Sequence, residues 1–100
     1  MLYAVLFEDN AAKTDEVRRQ FMAAHLAFLE RNRGAIIMAG PLRERDGTGA
    51  GGMWLVEASL PEIVEELVRA DPFWPTGLRR SHRILAWHRV FGADAIAARA

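Results

Sequence analysis

The two side chains best suited to chemistry are His25 and Asp71, each of which the sequence places beside apolar neighbours. Asp71 ends a helical pattern, because Pro72 disfavours the α conformation of the residue before it. The helix macrodipole is negative at this end, so a carboxylate here gains no stability from it. A half-buried histidine that pairs with an aspartate can hold one tautomer and exchange protons near neutral pH. Together these residues could carry general acid and base catalysis.

Both residues also have an ordinary structural interpretation. An Asp-Pro pair is common in turns, and the rings of Phe73 and Trp74 could serve only to fill the core. At about 100° per residue, His25 lies near the middle of the apolar stripe of its helix, so it points at the core or at a cavity. A lone histidine in such a stripe is often a core residue with a satisfied hydrogen bond. An accessible pocket lined by the pair would separate the two interpretations.

The bulk composition limits the classes of function. The chain of 100 residues is long enough for one small domain, assigned to residues 1–100 with a C-terminal tail at 91–100. Lys and Arg number 13 and so do Asp and Glu, which argues against non-specific binding to nucleic acid or to a membrane surface. The absence of cysteine excludes disulfides and thiolate chemistry. No run approaches a membrane span, and we expect a cytoplasmic protein.

Apolar runs, caps and turn residues predict six elements in the order strand, helix, strand, strand, helix, strand. The first helix is predicted to have Thr14 as its N-cap and to stop before Gly34, and a capping box of Ser59 and Glu62 is predicted to start the second. The predicted strands cover residues 2–7, 35–39, 53–58 and 83–90. This order is that of an α+β, ferredoxin-like βαββαβ fold, with a four-stranded antiparallel sheet and both helices on one face.

Residues 43–52 form a polar, glycine-rich connection between the second and third predicted strands. This connection lacks the Gly-Lys-Ser/Thr ending of a phosphate-binding loop, and no helix follows it. We therefore predict a flexible hairpin connection or a lid.

Both faces of the predicted sheet carry apolar side chains. In the first strand Ala4 and Leu6 point one way, while Val5 and Phe7 point the other way. Two helices can cover only one face, and an uncovered apolar face of this size exceeds what soluble monomers usually expose. We therefore predict a homodimer that stacks sheet on sheet.

Several short motifs, spread over nearly the whole chain, carry a family resemblance. They are His25-Leu26-Ala27-Phe28-Leu29, Ala39-Gly40-Pro41-Leu42, Asp71-Pro72-Phe73 with Gly77-Leu78, and Trp87. In order and spacing they resemble the YciI-like (YCII-related) family. The resemblance implies a dimeric α+β barrel, and a pocket between helices and sheet that holds a His–Asp pair, here His25 and Asp71, near the turn at Gly40 and Pro41. Some members dehalogenate or isomerise ring-derived small molecules.

One position departs from that family pattern. Members often carry a basic residue about one turn before the histidine, where this chain has Phe21 and Met22, with Arg18 a turn further back. The departure weakens the case for an anion contact from this helix.

Other clusters in the sequence have weaker functional interpretations. His82 and His88 would lie roughly 20 Å apart on one strand, so we predict no metal site. The C-terminal third is locally basic, and this run is either a solvated edge or a contact for an anionic substrate. Its arginines are Arg79, Arg80, Arg83 and Arg89.

The function predicted from these residues is that of a small cofactor-free enzyme. His25 would act as general base or acid, and Asp71 would orient it. The resemblance implies that the small substrate contacts Gly40 and Pro41, and Phe73 is expected to form part of the pocket wall. Isomerisation, elimination and dehalogenation all suit one such pair. The alternative is a non-catalytic module that binds a small molecule or a partner on the same dimer. RNA binding is not expected, because the third strand lacks the basic and paired-aromatic pattern of RNA recognition motifs.

Overall fold

The computed structural model describes residues 1–92, which contain four strands, two α-helices and one short 3₁₀ turn. The elements are β1 (Leu2–Asp9), α1 (Thr14–Arg31), β2 (Ile36–Arg43), β3 (Gly49–Glu57), α2 (Pro61–Ala70), the 3₁₀ turn (Trp74–Thr76) and β4 (Arg79–Ala86). The strands form one antiparallel sheet in the order β2-β3-β1-β4. This confirms the predicted ferredoxin-like βαββαβ fold. The tail predicted for residues 91–100 lies mostly outside the described residues.

One face of the sheet carries the main hydrophobic core. Alternate side chains of β1 are almost fully buried there, and Val5 opposes Trp54 of β3. Phe28 of α1 and Val64 and Val68 of α2 belong to the same cluster, so both helices pack on this face, as predicted. The cluster consists of Tyr3, Val5, Phe7, Phe28, Ile36, Trp54, Val56, Val64 and Val68.

The opposite face of the sheet is also apolar but less buried. Ala4 and Leu6 of β1 are half-buried on this side, as are Met53 and Leu55, which lie opposite them on β3. On the flanking strands, Met38 is 60% exposed and Leu85 is 38% exposed. The sequence-based prediction of two apolar sheet faces therefore has a structural counterpart in this surface, which we call the open face.

The helix starts differ from the predicted caps. Thr14 is the first helical residue of α1, and its hydroxyl donates to the carbonyl of Asn10 at 3.2 Å. The predicted capping box of Ser59 and Glu62 is wrong, because α2 begins one residue later and its N-terminus has no side-chain cap. Pro61 takes the first helical position instead, where its fixed φ favours the helix and its missing N–H removes no hydrogen bond.

The helix ends agree with the sequence at α2 and differ at α1. At the end of α1, Gly34 does not adopt a positive φ, and the side chain of Asn32 instead donates to the carbonyl of Phe28 at 2.8 Å. α2 ends at Ala70, and Asp71 has an extended backbone with ψ of 131°. The latter is the conformation that a following proline imposes.

The strands extend further into the glycine-rich region than predicted. β2 continues through Gly40 and Pro41 to Arg43, and β3 begins at Gly49, which leaves only residues 44–48 as the connection. β4 is shifted the other way and ends at Ala86, so residues 87–90 lie beyond the sheet. The segment predicted to be a flexible hairpin connection or a lid is therefore a hairpin connection, most of which is paired as strand.

Gly51 is required where β3 approaches β1. Its φ is +90°, and a Cβ atom built there would lie 1.9 Å from the carbonyl oxygen of Phe7. Both the backbone conformation and the close contact exclude a side chain.

We expect Gly51→Ala to destabilise the protein by at least about 1–3 kcal/mol, because positive φ costs this much even before the clash is relieved. Gly49→Ala is the matched control, since Gly49 has an ordinary φ and no heavy atom within 4 Å of its Cβ position. Urea unfolding of the two variants measures the difference. Equal midpoints would show that the strand can shift freely at Gly51.

Within residues 1–92, no helix combines the length and the apolar character that crossing a membrane requires.

Candidate functional site

The site is centred on a direct hydrogen bond between the two helices. His25 lies on α1 and Asp71 is the C-cap of α2, and their Nδ1 and Oδ1 atoms are 2.8 Å apart. Both residues are buried, at 7% and 3% exposure. An ionised carboxylate can only accept, so Nδ1 carries the hydrogen of this bond. In the neutral imidazole the lone pair is therefore on Nε2, and no described residue forms a hydrogen bond with Nε2.

Asp71 is held in place by its own turn. The Oδ1 atom that binds His25 also accepts the backbone N–H of Phe73 at 3.0 Å, and the backbone carbonyl of Asp71 accepts the N–H of Trp74 at 2.8 Å. These bonds satisfy polar groups at the end of α2. The turn interpretation and the pair interpretation of Asp71 therefore hold together: the turn aims the carboxylate at the imidazole.

Phe73 fixes the plane of the imidazole. The two rings are stacked, with centroids 4.0 Å apart and planes 14° apart, and Phe73 is fully buried. With Asp71 on one edge and Phe73 on one face, the ring of His25 has little freedom to turn.

A small cavity lies between α1 and the sheet beside this pair. This inner cavity has a volume of about 120 Å³, and its lining includes Arg18, His25, Gly40, Pro41, Trp54 and Arg79. A cavity of about 150 Å³ holds one benzene ring, and the inner cavity is slightly smaller than that, so a ring bound there would extend beyond it. A larger outer cavity of about 520 Å³ shares Arg18 and Pro41 with the inner one. The two cavities therefore adjoin, and the outer one offers a route to solvent.

Two arginines beside the cavity share one carboxylate. Arg18 Nη2 and Arg79 Nη1 each lie 3.0 Å from an oxygen of Asp9, one on Oδ2 and the other on Oδ1. The side chain of Arg79 is only 5% exposed, and its guanidinium lies 4.1 Å from the ring centroid of Phe7. Burial lowers the pKa of Arg79 from its usual range, while Asp9 and then Asp71 oppose this shift. The cluster places fixed positive charge at the cavity wall.

The structure brings most of the predicted site residues together. His25 bonds Asp71, and Gly40 and Pro41 line the inner cavity with His25. Phe73 differs from its prediction as a cavity wall, since it does not line either cavity and instead packs against His25.

The positions of the two arginines in the site were only partly visible in the sequence. Arg18 was discounted because it lies two turns before His25, yet two turns return to the same face of a helix, and Arg18 lines the inner cavity. Arg79 belongs to the basic run for which contact with an anionic substrate is one of two sequence-based interpretations, but the sequence does not single it out from the other arginines of that run. Its partner Asp9 is fixed by the pairing of β1 with β4, which the spacing of the residues alone did not reveal.

The other histidines do not join this site. His82 Nε2 lies 2.6 Å from an oxygen of Glu65, and neither of the two cavities is lined by His82. His88 lies beyond the end of β4, so the expectation that His82 and His88 share a strand is wrong. In the described part of the chain, no three acidic or histidine side chains are arranged to hold a metal ion.

Comparisons with known proteins identify the family and support the fold. The model of the YCII-related domain matches residues 1–88. Among solved structures, the chain is similar to 5-chloro-2-hydroxyhydroquinone dehydrochlorinase (TftG) from Burkholderia phenoliruptrix AC1100, in complex with 2,5-dihydroxybenzoquinone. The two chains are 29% identical, and the match covers 88% of this chain and 94% of that chain with a TM-score of 0.75. None of the curated protein sequences matches. Because the family match spans nearly the whole chain, the protein belongs to the YCII-related domain family.

Proposed function

We propose that this protein is a small enzyme that uses His25 for acid and base chemistry on a ring-derived small molecule in the inner cavity, with no cofactor. The observation that carries the proposal is the hydrogen bond of 2.8 Å between His25 and Asp71 at the wall of the inner cavity. The bond fixes the tautomer in which Nε2 has the lone pair. Nε2 is then the atom that accepts a proton from the substrate.

Asp71 and Phe73 are positioning residues in this proposal. As Nε2 takes a proton, the imidazole becomes a cation, and the carboxylate of Asp71 stabilises that charge at hydrogen-bond distance. The ring of Phe73 keeps the imidazole in the plane that its bond to Asp71 requires. Gly40 and Pro41 would contact the substrate in the inner cavity, and Pro41 also lines the outer one.

The proposed reaction class is elimination or isomerisation. A proton leaves the substrate for Nε2, and the electron pair that remains forms a new double bond. In an isomerisation the proton returns to another atom of the ring. In a dehydrochlorination of a chlorinated hydroquinone, the proton first returns to the ring carbon that carries the chlorine, which gives the keto tautomer. Loss of a second hydroxyl proton then forms the new double bonds and expels chloride with the electrons of the carbon–chlorine bond, so the net loss of HCl gives a quinone without an added oxidant.

The similar dehydrochlorinase supports the substrate class. It acts on 5-chloro-2-hydroxyhydroquinone, and its complex contains 2,5-dihydroxybenzoquinone. Each of these is a single six-membered ring with small substituents, which would fill the inner cavity and extend toward the outer one. The ligand of this similar enzyme and the size of the cavities therefore support a compact ring as the proposed substrate.

The test is an assay of the purified protein with 5-chloro-2-hydroxyhydroquinone in the absence of oxygen, since hydroquinones oxidise in air. Release of chloride and the absorbance of the quinone are followed together. Enzyme-dependent release of both products at equal rates is the expected result. The contrary result is a protein that binds 2,5-dihydroxybenzoquinone but turns over neither 5-chloro-2-hydroxyhydroquinone nor related halogenated and isomerisable rings. That result would favour the alternative, a non-catalytic ligand-binding module.

We also propose that the protein forms a homodimer through the open face. Its apolar side chains on β1 and β3 have no counterpart from the helices, which pack on the other side of the sheet. A contiguous apolar surface of this kind commonly marks a protein interface.

In sedimentation equilibrium at micromolar concentration, the wild type is expected to show twice the chain mass of 11.2 kDa. Leu85→Glu should shift the protein toward monomer, because Leu85 is 38% exposed on the open face and a charge there disfavours a dry interface. Leu60→Glu is the matched control, since Leu60 is 56% exposed at the start of α2 and away from that face. A wild type that sediments only as the monomer would refute the dimer.

A further inference from the structure

Arg79 is a buried cation that leaves most of its hydrogen-bonding capacity unused. Its side chain is 95% buried, yet among the described residues it forms one hydrogen bond, from Nη1 to Asp9. An arginine has five N–H donors. The Nε atom is fully buried and has no hydrogen-bond partner within residues 1–92. Burying a charge is costly unless it is paired and its donors are satisfied, so this arrangement needs an explanation.

The position of Arg79 points to a ligand as that explanation. Arg79 lines the inner cavity together with His25. A Cβ atom on Gly52 would lie 3.4 Å from Nη1 of Arg79, so the absence of a side chain at Gly52 keeps the space beside the guanidinium open. Aromatic rings flank the cation, with Phe7 at 4.1 Å and Phe73 at 5.4 Å from their centroids. The guanidinium is therefore held firmly in place beside the cavity.

The local charges also favour an anion. Asp9 pairs with both Arg18 and Arg79, so one negative charge neutralises only one of the two positive charges. The nearby carboxylate of Asp71 is bonded to His25 and to the backbone of Phe73. While His25 is neutral, Asp9 and Asp71 together balance the two arginines. When His25 gains a proton, the imidazolium balances Asp71, and the two arginines with Asp9 then carry an excess of one positive charge.

We propose that Arg79 binds an ionised ring oxygen of the substrate, so that the inner cavity selects ring compounds with an ionised hydroxyl or enol group over neutral rings of the same size. This inference rests on the proposed function and names its substrate class. Charge-assisted hydrogen bonds from an arginine to an oxyanion are short and strong. Arg79 also stabilises negative charge that grows on that oxygen as His25 removes a proton from the same ring.

The experiment compares two ring ligands by calorimetric titration at neutral pH, without turnover. The first is 2,5-dihydroxybenzoquinone, whose acidic hydroxyl groups are ionised at this pH, and the second is hydroquinone, which is neutral. The wild type should bind the anion at least about tenfold more tightly than the neutral ring. Arg79→Gln should lose about tenfold to a hundredfold of the affinity for the anion and change the affinity for hydroquinone by less than about threefold.

Two further variants make the result specific. Arg69→Gln removes the same charge from a side chain that is 60% exposed on α2 and lines neither cavity, and it should leave both affinities unchanged. Arg79→Lys keeps the charge and can still reach Asp9, so it remains informative if Arg79→Gln fails to fold. It should keep part of the preference for the anion, because lysine lacks the planar fork of arginine.

The outcomes separate this inference from the proposed function. Equal affinity of the wild type for the two rings, or no binding of either, overturns the role of Arg79, whatever the turnover. So does an equal loss of both affinities in folded Arg79→Gln, since that would show a purely steric role. A preference for the anion that depends on Arg79, in a protein that turns over none of the rings assayed, upholds the binding role of Arg79 and favours the non-catalytic ligand-binding module.

Discussion

Replacement of His25 by glutamine is expected to lower turnover by about 10²–10⁴-fold, which is the usual contribution of a positioned general base. Glutamine cannot take up a proton at Nε2, the atom that the bond from Nδ1 to Asp71 leaves available. The same change should cost about 1–3 kcal/mol of stability, because the buried carboxylate of Asp71 loses its main partner. Turnover is measured at saturating substrate, and the fold of the variant is checked by circular dichroism and urea unfolding.

Asp71→Asn tests the second half of the same prediction. The amide oxygen of asparagine can still accept the N–H groups of His25 and Phe73, so the turn should survive with little loss of stability. The negative charge that stabilises the imidazolium is removed, and an amide that donates to Nδ1 would favour the wrong tautomer. We expect turnover to fall by about 10²–10⁴-fold here as well.

His82→Gln is the matched control for His25→Gln. His82 is also paired with a carboxylate, at 2.6 Å from Glu65, but it lines neither of the two cavities. Its replacement should leave turnover within about twofold of wild type, while the stability falls by about 1 kcal/mol through the lost hydrogen bond. If His25→Gln and His82→Gln lowered turnover equally, His25 would have only a structural role.

The fold could be predicted from the sequence because local signals and the global pattern agree. The alternation of apolar side chains in β1 has the same period as a strand with one face in the core, and Pro72 ends α2 by a steric rule. His25 lies on the buried stripe of α1, which required only the helical period. Each of these features depends on a few neighbouring residues, so it can be predicted without knowing how the rest of the chain packs.

Where two local signals competed, the sequence alone did not decide between them. At the start of α2, both a capping box and a proline at the first helical position were available, and the proline sets the start. In residues 43–52, the glycines indicated a loop, but Gly51 is needed because β3 passes so close to Phe7. The pairing of strands overrode the low β-propensity of glycine.

The candidate site was partly predictable for the same reason. His25 and Asp71 are 46 residues apart, and the expected meeting of α1 with the end of α2 follows from the ferredoxin-like topology. The roles of Arg18 and Arg79 depend on their common partner Asp9, and so on the register of β1 with β4. That register has an irregularity between Glu8 and Asp9, which no periodic pattern predicts. The charges at the cavity therefore required the three-dimensional structure.

Phe73→Ala is expected to lower the free energy of unfolding by about 3–5 kcal/mol, the usual cost of removing a buried phenylalanine ring. Phe73 is completely buried, with 0% exposure, and it packs in a small second cluster with Val17 and Leu78. Small domains have only about 5–15 kcal/mol of stability in total, so this variant should be marginal. Urea unfolding should show a lower midpoint with an unchanged slope.

Phe91→Ala is the matched control for the loss of a phenyl ring, because Phe91 is 96% exposed and its removal should change stability by less than about 0.5 kcal/mol. Phe73→Leu separates packing from positioning. Leucine fills most of the volume and should cost less than about 1.5 kcal/mol, but it cannot stack on the imidazole at 4.0 Å. If the stack positions His25, Phe73→Leu should lower kcat while KM changes little. A stable Phe73→Leu variant with wild-type kcat would show that Phe73 only fills the core. The bond to Asp71 would then be the interaction that orients the imidazole.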